Sequence, residues 1–387
     1  MNVLVLASWY PNALDPFSGD FIKRQAEAVS VFQPLKIVYV GKLSKNLSIN
    51  NKSNEDVYPN LSESLFYYPG SESINFLTKS RSFFSYFKKH LQFIGQLHKN
   101  RDLPDLIHVQ VAWRAGLIAI YLKWKYGIPY VLSEHWSGYY PQAQDSLFKK
   151  SLLERFLIRR ILGNANLLIT VSEALGKQIQ QKWRRIPFQH IPNVVNTRFF
   201  YPEKNKPRER FRFIHISTLK HPKNPEGILR AFSLLGNRRG DAELILIGPL
   251  NPGLERMIQE MDGGRKTVRC TGEISYQSVA LELRNASALV LFSHYENMPC
   301  VILESLCCGV PVIASRVGGI PEVVDESNGI LVNAGDEKAL REAMVNLLAN
   351  ENFYNRESIS QRAAAQFSYE VVGKEIIKAY ASVLDKR

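Results

Sequence analysis

Short apolar runs alternate with amphipathic stretches along this chain, and the alternation starts over once, after a polar break. Residues 3–7, 35–40, 106–110, 130–133 and 167–171 are apolar runs of strand length, with helical spacing between them, as at 21–31. A second series follows at 213–217, 243–247, 268–271, 288–292 and 310–314, interleaved with helical patterns at 225–235, 276–285, 302–308 and 337–349. Near-continuous apolar strands separated by helices predict a parallel sheet covered on both faces. The break at 196–210 is polar and carries Pro202 and Pro207, so it reads as a connector. At 387 residues the chain is too long for one compact core. The expected division is a first α/β domain over 1–197, a linker over 198–210, a second α/β domain over 211–368, and an amphipathic C-terminal helix over 369–387 that packs on either domain.

Composition narrows the partners without choosing one. The net charge is +13 and the pI about 9.4, which suits nucleic acid, an anionic membrane surface or phosphorylated small molecules. Nucleic acid is the poorest of these, because the charge is dispersed and no nucleic-acid-binding motif is present. Aromatic and basic residues mix along 81–99, and such a helix can lie on anionic lipid or pack on the core with a solvated basic face. No stretch reaches the ~20 apolar residues of a membrane span. The apolar start ends at Trp9-Tyr10-Pro11 with no basic residues before it, which predicts a buried strand rather than a secretion signal. Cys270, Cys300, Cys307 and Cys308 have neither zinc-site nor convenient disulfide spacing. A reduced, cytoplasmic setting is expected, with peripheral attachment to the inner membrane face as a further option.

The chemistry concentrates in residues 289–315, a strand, loop, helix, turn and strand in succession. The loop carries Glu296 and the following helix carries Glu304, with Pro299, a residue favoured at a first helical position, between them. A helix start offers unpaired amides and the positive end of a dipole, so it can hold a diphosphate without a metal ion. The two carboxylates beside it can accept hydrogen bonds from sugar hydroxyls. In an open α/β sheet this loop lies where ligands bind.

The Glu296-to-Glu304 spacing, with Gly309-Val310-Pro311-Val312 after it, resembles the E-x7-E signature of glycosyltransferase family 4, a family of retaining enzymes with the GT-B fold. Ser315-Arg316-Val317-Gly318-Gly319-Ile320-Pro321-Glu322 and 328–332 resemble its closing motif. Ile191-Pro192-Asn193-Val194-Val195-Asn196 resembles its interdomain hinge, with Val194 and Asn196 where the family usually has Gly and Asp. The resemblance implies a GT-B architecture of two doubly wound, Rossmann-like domains facing a cleft. It implies that Glu304 binds the nucleotide ribose and Glu296 the transferred sugar. The amides of Asn297 and Met298 would face the sugar, and those of Cys300 and Val301 the phosphates.

Three further segments enter through the same resemblance. In 217–225 the family places an Arg and a Lys against the diphosphate. Lys223 stands at the Lys position, Thr218 occupies the Arg position, and Lys220 is a substitute source of charge. Gly19 matches the last glycine of a loop that approaches the donor, although any strand-to-helix turn can use a glycine. His135, just past a strand end, matches a histidine that contacts the transferred sugar. It need not be the base, since the mechanism usually proposed returns the acceptor proton to the leaving phosphate. Neighbouring Glu134 is the nucleophile of a double-displacement alternative, but adjacent strand positions face opposite ways.

The expected activity is therefore metal-independent, retaining transfer of a hexose-type sugar from a nucleotide diphosphate sugar to a glycan or lipid-linked acceptor. No cofactor is expected, and the biological role implied is cell-surface polysaccharide or lipopolysaccharide synthesis. A nucleotide-sugar epimerase of the same fold and a non-catalytic nucleotide-sugar-binding subunit are the alternatives.

Overall fold

The computed structural model describes residues 1–43, 52–54, 60–69, 76–203, 210–235, 242–264, 266–350 and 353–386. The chain divides into two compact units. One comprises Met1–Val171, Leu175–Pro192 and Tyr369–Arg387, the other Ser172–Ala174 and Asn193–Ser368.

In the first unit, strands β1 (Val3–Ala7), β2 (Leu35–Leu43), β3 (Lys52–Asn54), β4 (Leu61–Pro69), β5 (Leu106–Gln110), β6 (Tyr130–Glu134), β7 (Leu167–Thr170) and β8 (Phe188–His190) form one sheet. Its order is β3-β4-β2-β1-β5-β6-β7-β8. All pairings are parallel except β3 against β4. β1, β5 and β6 are buried along their whole length, as a sheet covered on both faces requires. The connecting helices are α1 (Asp20–Ser30), α2 (Phe76–Lys99), α3 (Ala115–Tyr126), α4 (Leu152–Asn164) and α5 (Glu173–Lys182). Their ends show why they stop and start where they do. α4 opens on a capping box between Ser151 and Glu154, and α3 ends on the left-handed Gly127.

In the second unit, β9 (Phe211–Ile216), β10 (Ala242–Ile247), β11 (Val268–Cys270), β12 (Ala288–Leu291), β13 (Val312–Ser315) and β14 (Gly329–Val332) form an all-parallel sheet in the order β11-β10-β9-β12-β13-β14. Helices α6 (Pro225–Ser233), α7 (Pro252–Asp262), α8 (Tyr276–Arg284), α9 (Cys300–Cys307), α10 (Glu337–Ala349) and α11 (Arg356–Phe367) complete it. Asn224 and Asn251 cap α6 and α7, each with a proline at the first helical position. Phe213, Phe232, Val290, Phe292 and Met344 belong to the buried core of this unit.

Both sheets are doubly wound. The order reverses between β1 and β5 in the first unit and between β9 and β12 in the second, so each has its own switch point.

Two boundaries differ from the sequence expectation. The units part at Pro192, not at residue 197, because 193–200 is tied into the second unit. Asn193 donates to the Met298 carbonyl at 3.0 Å, and the Val195 amide donates to Phe367 at 2.8 Å. Val194, in the family's glycine position, has no positive φ and is buried. The polar part of the connector, 204–209, lies outside the described residues. The C-terminal helix α12 (Tyr369–Leu384) groups with the first unit. It crosses α1 closely at Gly373, where a Cβ would come within 2.4 Å of the Ala28 carbonyl oxygen. Tyr369 adds a hydrogen bond to Glu27 at 2.7 Å.

Candidate active site

The site in the second unit is assembled from the loops that leave the two switch strands, β9 and β12. Beneath it lies His215 on β9, fully buried. Its Nδ1 meets the Val290 carbonyl of β12 at 2.8 Å and its Nε2 meets Ser217 Oγ at 2.7 Å. Ser217 Oγ in turn accepts the Leu219 amide at 2.9 Å. Burial pushes the imidazole down to about pKa 4, so the ring is neutral near pH 7 and acts as a fixed peg for the loop.

From there 218–224 makes one tight turn through a short 3₁₀ segment, His221–Lys223. The turn sends its two lysines in different directions. Lys220 and Thr218 are exposed, whereas Lys223 Nζ lies 2.5 Å from Glu296 Oε1. The other loop is locked to this turn by the His294 amide, which donates to the Pro222 carbonyl at 2.9 Å. The rings of His221 and His294 stack with centroids 5.1 Å apart.

Glu296 is only 8 % exposed. Its Oε1 takes both the Lys223 ammonium and the Ser293 hydroxyl, the latter at 2.7 Å. A buried carboxylate is stable as an anion only when so compensated. An ammonium has three donors, so Lys223 can hold Glu296 with one and an anionic ligand with the others.

The next residues run directly into α9. Pro299 is its N-cap and Cys300 its first residue, so the proline stands one position earlier than its usual helical place. The first turn of the helix, with Cys300 and Val301, thus begins four residues after Glu296. Asn297 and Met298 are buried, and Glu304 lies within α9 with only 5 % exposure. Neither glutamate is a solvated surface residue.

The closing motif has a physical function here. Gly318 has φ +54°, and a Cβ on it would sit 2.1 Å from the Glu296 carbonyl oxygen. A Cβ on Gly319 would lie 2.8 Å from the Asn297 carbonyl oxygen, to which its own amide donates at 2.8 Å. The two glycines let this backbone press directly on the backbone of the acidic loop.

Glu296, Lys223, Asn297, Met298, Cys300, Val301 and Glu304 are thus gathered at one switch point, with Thr218 and Lys220 on the same turn in solvent. Sequence reasoning misses His215, Ser293 and Asn193. Ser293 is within its reach, three residues before Glu296. The pairing of Lys223 with Glu296 spans 73 positions and leaves no local mark.

Gly19 and His135 belong to the first unit and lie near each other there. Gly19 caps α1 with φ +62°, and a Cβ on it would meet the Trp9 backbone at 2.5 Å. That packing alone demands glycine. The Phe21 ring, two residues on, sits 4.7 Å from the His135 ring. His135 Nε2 meets Gln110 Oε1 at 2.8 Å, and Gln110 continues to Gln25 at 3.1 Å. Since an amide oxygen only accepts, this contact fixes the proton on Nε2.

Glu134 is fully buried, and its Oε1 accepts the Ala112 amide and the Tyr139 hydroxyl, both at 2.8 Å. Burial raises its pKa to about 7. A carboxyl group shut inside the sheet cannot reach an anomeric carbon, so the double-displacement alternative loses its nucleophile. Among the described residues no cluster of three His, Cys, Asp or Glu could hold a metal ion.

Comparison with known proteins gives this geometry its class. Residues 58–199 match the family model described as Glycosyltransferase Family 4, and residues 197–366 that described as Glycosyl transferases group 1. The chain is 27% identical over 287 residues to an uncharacterised glycosyltransferase of Methanocaldococcus jannaschii, covering 73% of this chain and 76% of the relative. It is 28% identical over 302 residues to an MMP alpha-(1->4)-mannosyltransferase of Mycolicibacterium hassiacum, covering 72% and 71%. In fold it is similar to the sucrose-phosphate synthase of Thermosynechococcus elongatus, with a TM-score of 0.79, 21% identity and full coverage of both chains. It is also similar to Anabaena HepE in complex with UDP, with a TM-score of 0.72, 16% identity, and 99% and 100% coverage. The solved structures give the two doubly wound units the GT-B fold, and the two family models, which together span residues 58–366, make the chain a glycosyltransferase. It belongs to the family 4, or group 1, glycosyltransferases.

Proposed function

We propose that this glycosyltransferase moves a hexose-type sugar from a nucleotide diphosphate sugar, without a metal ion and with retention of configuration. The observation that carries this reading is the buried Glu296, compensated by Lys223 and set beside the start of α9. Negative charge grows on the departing diphosphate during transfer. Lys223 and the first amides of α9 are fixed donors for that charge, and preorganised donors of this kind lower the barrier most. Thr218 brings no charge to the turn and Lys220 stays in solvent, so Lys223 bears the cationic role alone. Glu296 then orders the hydroxyls of the sugar, and Glu304 those of the ribose. The family resemblance also gives Gly19 and His135 a role at the donor.

The donor assignment is tested by thermal shift with a panel of nucleotide sugars in the presence of chelator. One donor should raise the melting temperature, by mass action on the folded state, and Glu304→Ala should remove most of that shift while melting near the wild type. An unchanged shift in the variant rules out the ribose role. Release of an epimerised sugar from donor alone would replace transfer by epimerisation.

We further propose a glycan or lipid-linked acceptor and peripheral attachment to an anionic membrane, as in cell-surface polysaccharide or lipopolysaccharide synthesis. Among the described residues no helix is long and apolar enough to cross a membrane. α2, the helix singled out by its basic and aromatic composition, buries Tyr86, His90, Ile94 and Leu97. α4 is the better candidate, because Leu152, Leu153 and Phe156 are 81 %, 65 % and 57 % exposed beside Arg155, Arg159 and Arg160. Each such side chain gains roughly 1.5–3 kcal/mol when fully buried in an apolar phase. Replacing all three by serine should abolish co-sedimentation with phosphatidylglycerol vesicles. Equal sedimentation of variant and parent would remove α4 from this role.

A further inference from the structure

The first unit holds a cavity of about 400 Å³ that none of the residues discussed for the donor lines. It lies at the carboxyl ends of β1, β2, β4, β5 and β6, across that sheet's own switch point, where open α/β sheets bind their ligands. Its size falls in the ~300–1,000 Å³ range of small-molecule sites. Three indoles line it, those of Trp9, Trp113 and Trp136. So do three cations, Lys42, Arg114 and Lys150.

The two acids on the wall are already engaged. Asp145 accepts the Trp136 indole N–H at 2.5 Å, and Glu154 accepts the Ser151 amide and hydroxyl at 3.0 and 2.8 Å. Arg114 has no carboxylate partner among the described residues. Its guanidinium donates to the Tyr68 hydroxyl at 3.2 Å and lies 5.9 Å from the Tyr86 ring centroid. Tyr86 also lines the wall, although its hydroxyl is closed off and has no hydrogen-bond partner among the described residues.

The backbone under Arg114 is the most informative feature. Arg114 has φ 66° and ψ −57°, and the Ala115 amide donates to the Trp113 carbonyl at 3.0 Å. This is a γ-turn of the rare, strained hand, which glycine occupies far more easily. Val111, three residues before, also has φ 68°. The segment is held in place from both sides. The Ser8 hydroxyl lies 2.8 and 2.7 Å from the carbonyl oxygens of Val111 and Trp113 and shares its one proton between them, and Glu134 accepts the Ala112 amide. Strained, non-glycine backbone clamped in this way accompanies ligand sites, because the side chain there is worth its strain. Here the side chain is an arginine facing a cavity with indole walls.

We propose that this cavity is the acceptor subsite, and that it takes a sugar carrying an anionic substituent, a phosphate or a carboxylate, bound by the Arg114 guanidinium. The word acceptor rests on the transferase reading above; the anionic-sugar chemistry rests on the cavity alone. The C–H faces of a pyranose stack on indole rings. A planar guanidinium grips either anion through two parallel N–H bonds. Lys42 and Lys150 add charge around it.

The test is calorimetric titration of the full chain with glucose 6-phosphate, methyl glucuronide, methyl glucoside and inorganic phosphate, on the parent, Arg114→Gly and Arg114→Lys. Glycine accepts the γ-turn, so Arg114→Gly should melt no lower than the parent and should keep its nucleotide-sugar thermal shift. The parent should bind one of the two anionic sugars at least tenfold more tightly than methyl glucoside and than inorganic phosphate. The better of the two assigns phosphate or carboxylate. Arg114→Gly should lose that preference, and Arg114→Lys should recover part of it. Equal binding of methyl glucoside, equal binding of inorganic phosphate, or an undiminished preference in Arg114→Gly would each overturn the proposal. Failure of every nucleotide sugar to shift the parent would instead remove the transferase reading and leave the anionic-sugar preference standing.

Discussion

The two units solve the same topological problem with opposite local means. Each places its working loops at the reversal of a doubly wound sheet, and each sets a buried, neutral histidine near that point. His215 is pegged to Ser217 and the Val290 carbonyl, and His108 to Ser133 and Tyr380 at 2.7 and 2.6 Å. Above these pegs they diverge. In the second unit, glycines at 318 and 319 allow backbone to lie on backbone, so the acidic loop is located by close packing. In the first, a glycine-like backbone is imposed on Val111 and Arg114, and a hydroxyl donated by Ser8 and an amide accepted by Glu134 hold it. At the acidic loop the chain removes side chains. At the cavity it keeps an arginine and tolerates the strain.

The largest effect that can break this contrast is at Gly318. Gly318→Ala forces both a left-handed alanine and a displacement of the Glu296 carbonyl. It should destabilise the second unit by about 3 kcal/mol or more and nearly abolish the nucleotide-sugar thermal shift. Gly335 is the control. It has φ +81° and nothing within 4 Å of the place a methyl group would take, so Gly335→Ala should cost only the left-handed penalty of about 1 kcal/mol and leave the shift intact. Melts of equal depth for the two variants would show that backbone conformation alone, not packing on Glu296, sets the need for glycine at 318.

The sequence exposes what is local and hides what is not. Glu296 and Glu304 share one loop-helix unit, so their spacing survives as a pattern, and the buried runs of β1, β5 and β12 announce parallel strands. β4 escapes notice because Leu61–Pro69 begins with the polar alternation of Ser62, Glu63 and Ser64. Glu63 looks solvent-facing but is buried against Tyr10 and Lys23. β8 escapes because three residues carry no period. The helix boundary near Pro299 is displaced because proline's usual first-turn role suggests an earlier start than the loop allows. The γ-turn at Arg114 gives no signal at all. The residues that mark positive φ are glycine and asparagine, and Ala112-Trp113-Arg114-Ala115 contains neither.

The smallest expected effect separates the units by their response to acid. Burial holds His90 and His108 of the first unit down at about 4 and 3, and His215 of the second at about 4. A depressed histidine stabilises fully above its ordinary value of 6.5 and loses that contribution as pH falls toward 3 to 4. Glu134, raised to about 7 from 4.5, has the opposite sign. Its contribution is full below about pH 4.5 and is lost as pH climbs through 7. Between pH 6.5 and 4.5 the histidines therefore lose stability on acidification, while Glu134 regains it. In the first unit Glu134 is the strongest group opposing the two histidines, and Glu27, also raised by burial, opposes them in the same sense; in the second unit the depressed histidine is His215. Glu134→Gln deletes the opposing group and keeps an oxygen to accept the Ala112 amide. The first unit's acid sensitivity between pH 6.5 and 4.5 should then steepen, while that of the second stays put. Hydrogen exchange of the slowest amides in each unit, corrected for the intrinsic pH dependence of exchange, measures both slopes in one sample. A first-unit slope unchanged in Glu134→Gln would mean that the carboxyl is ionised inside the sheet, and that Ala112 and Tyr139 stabilise its charge more than burial opposes it.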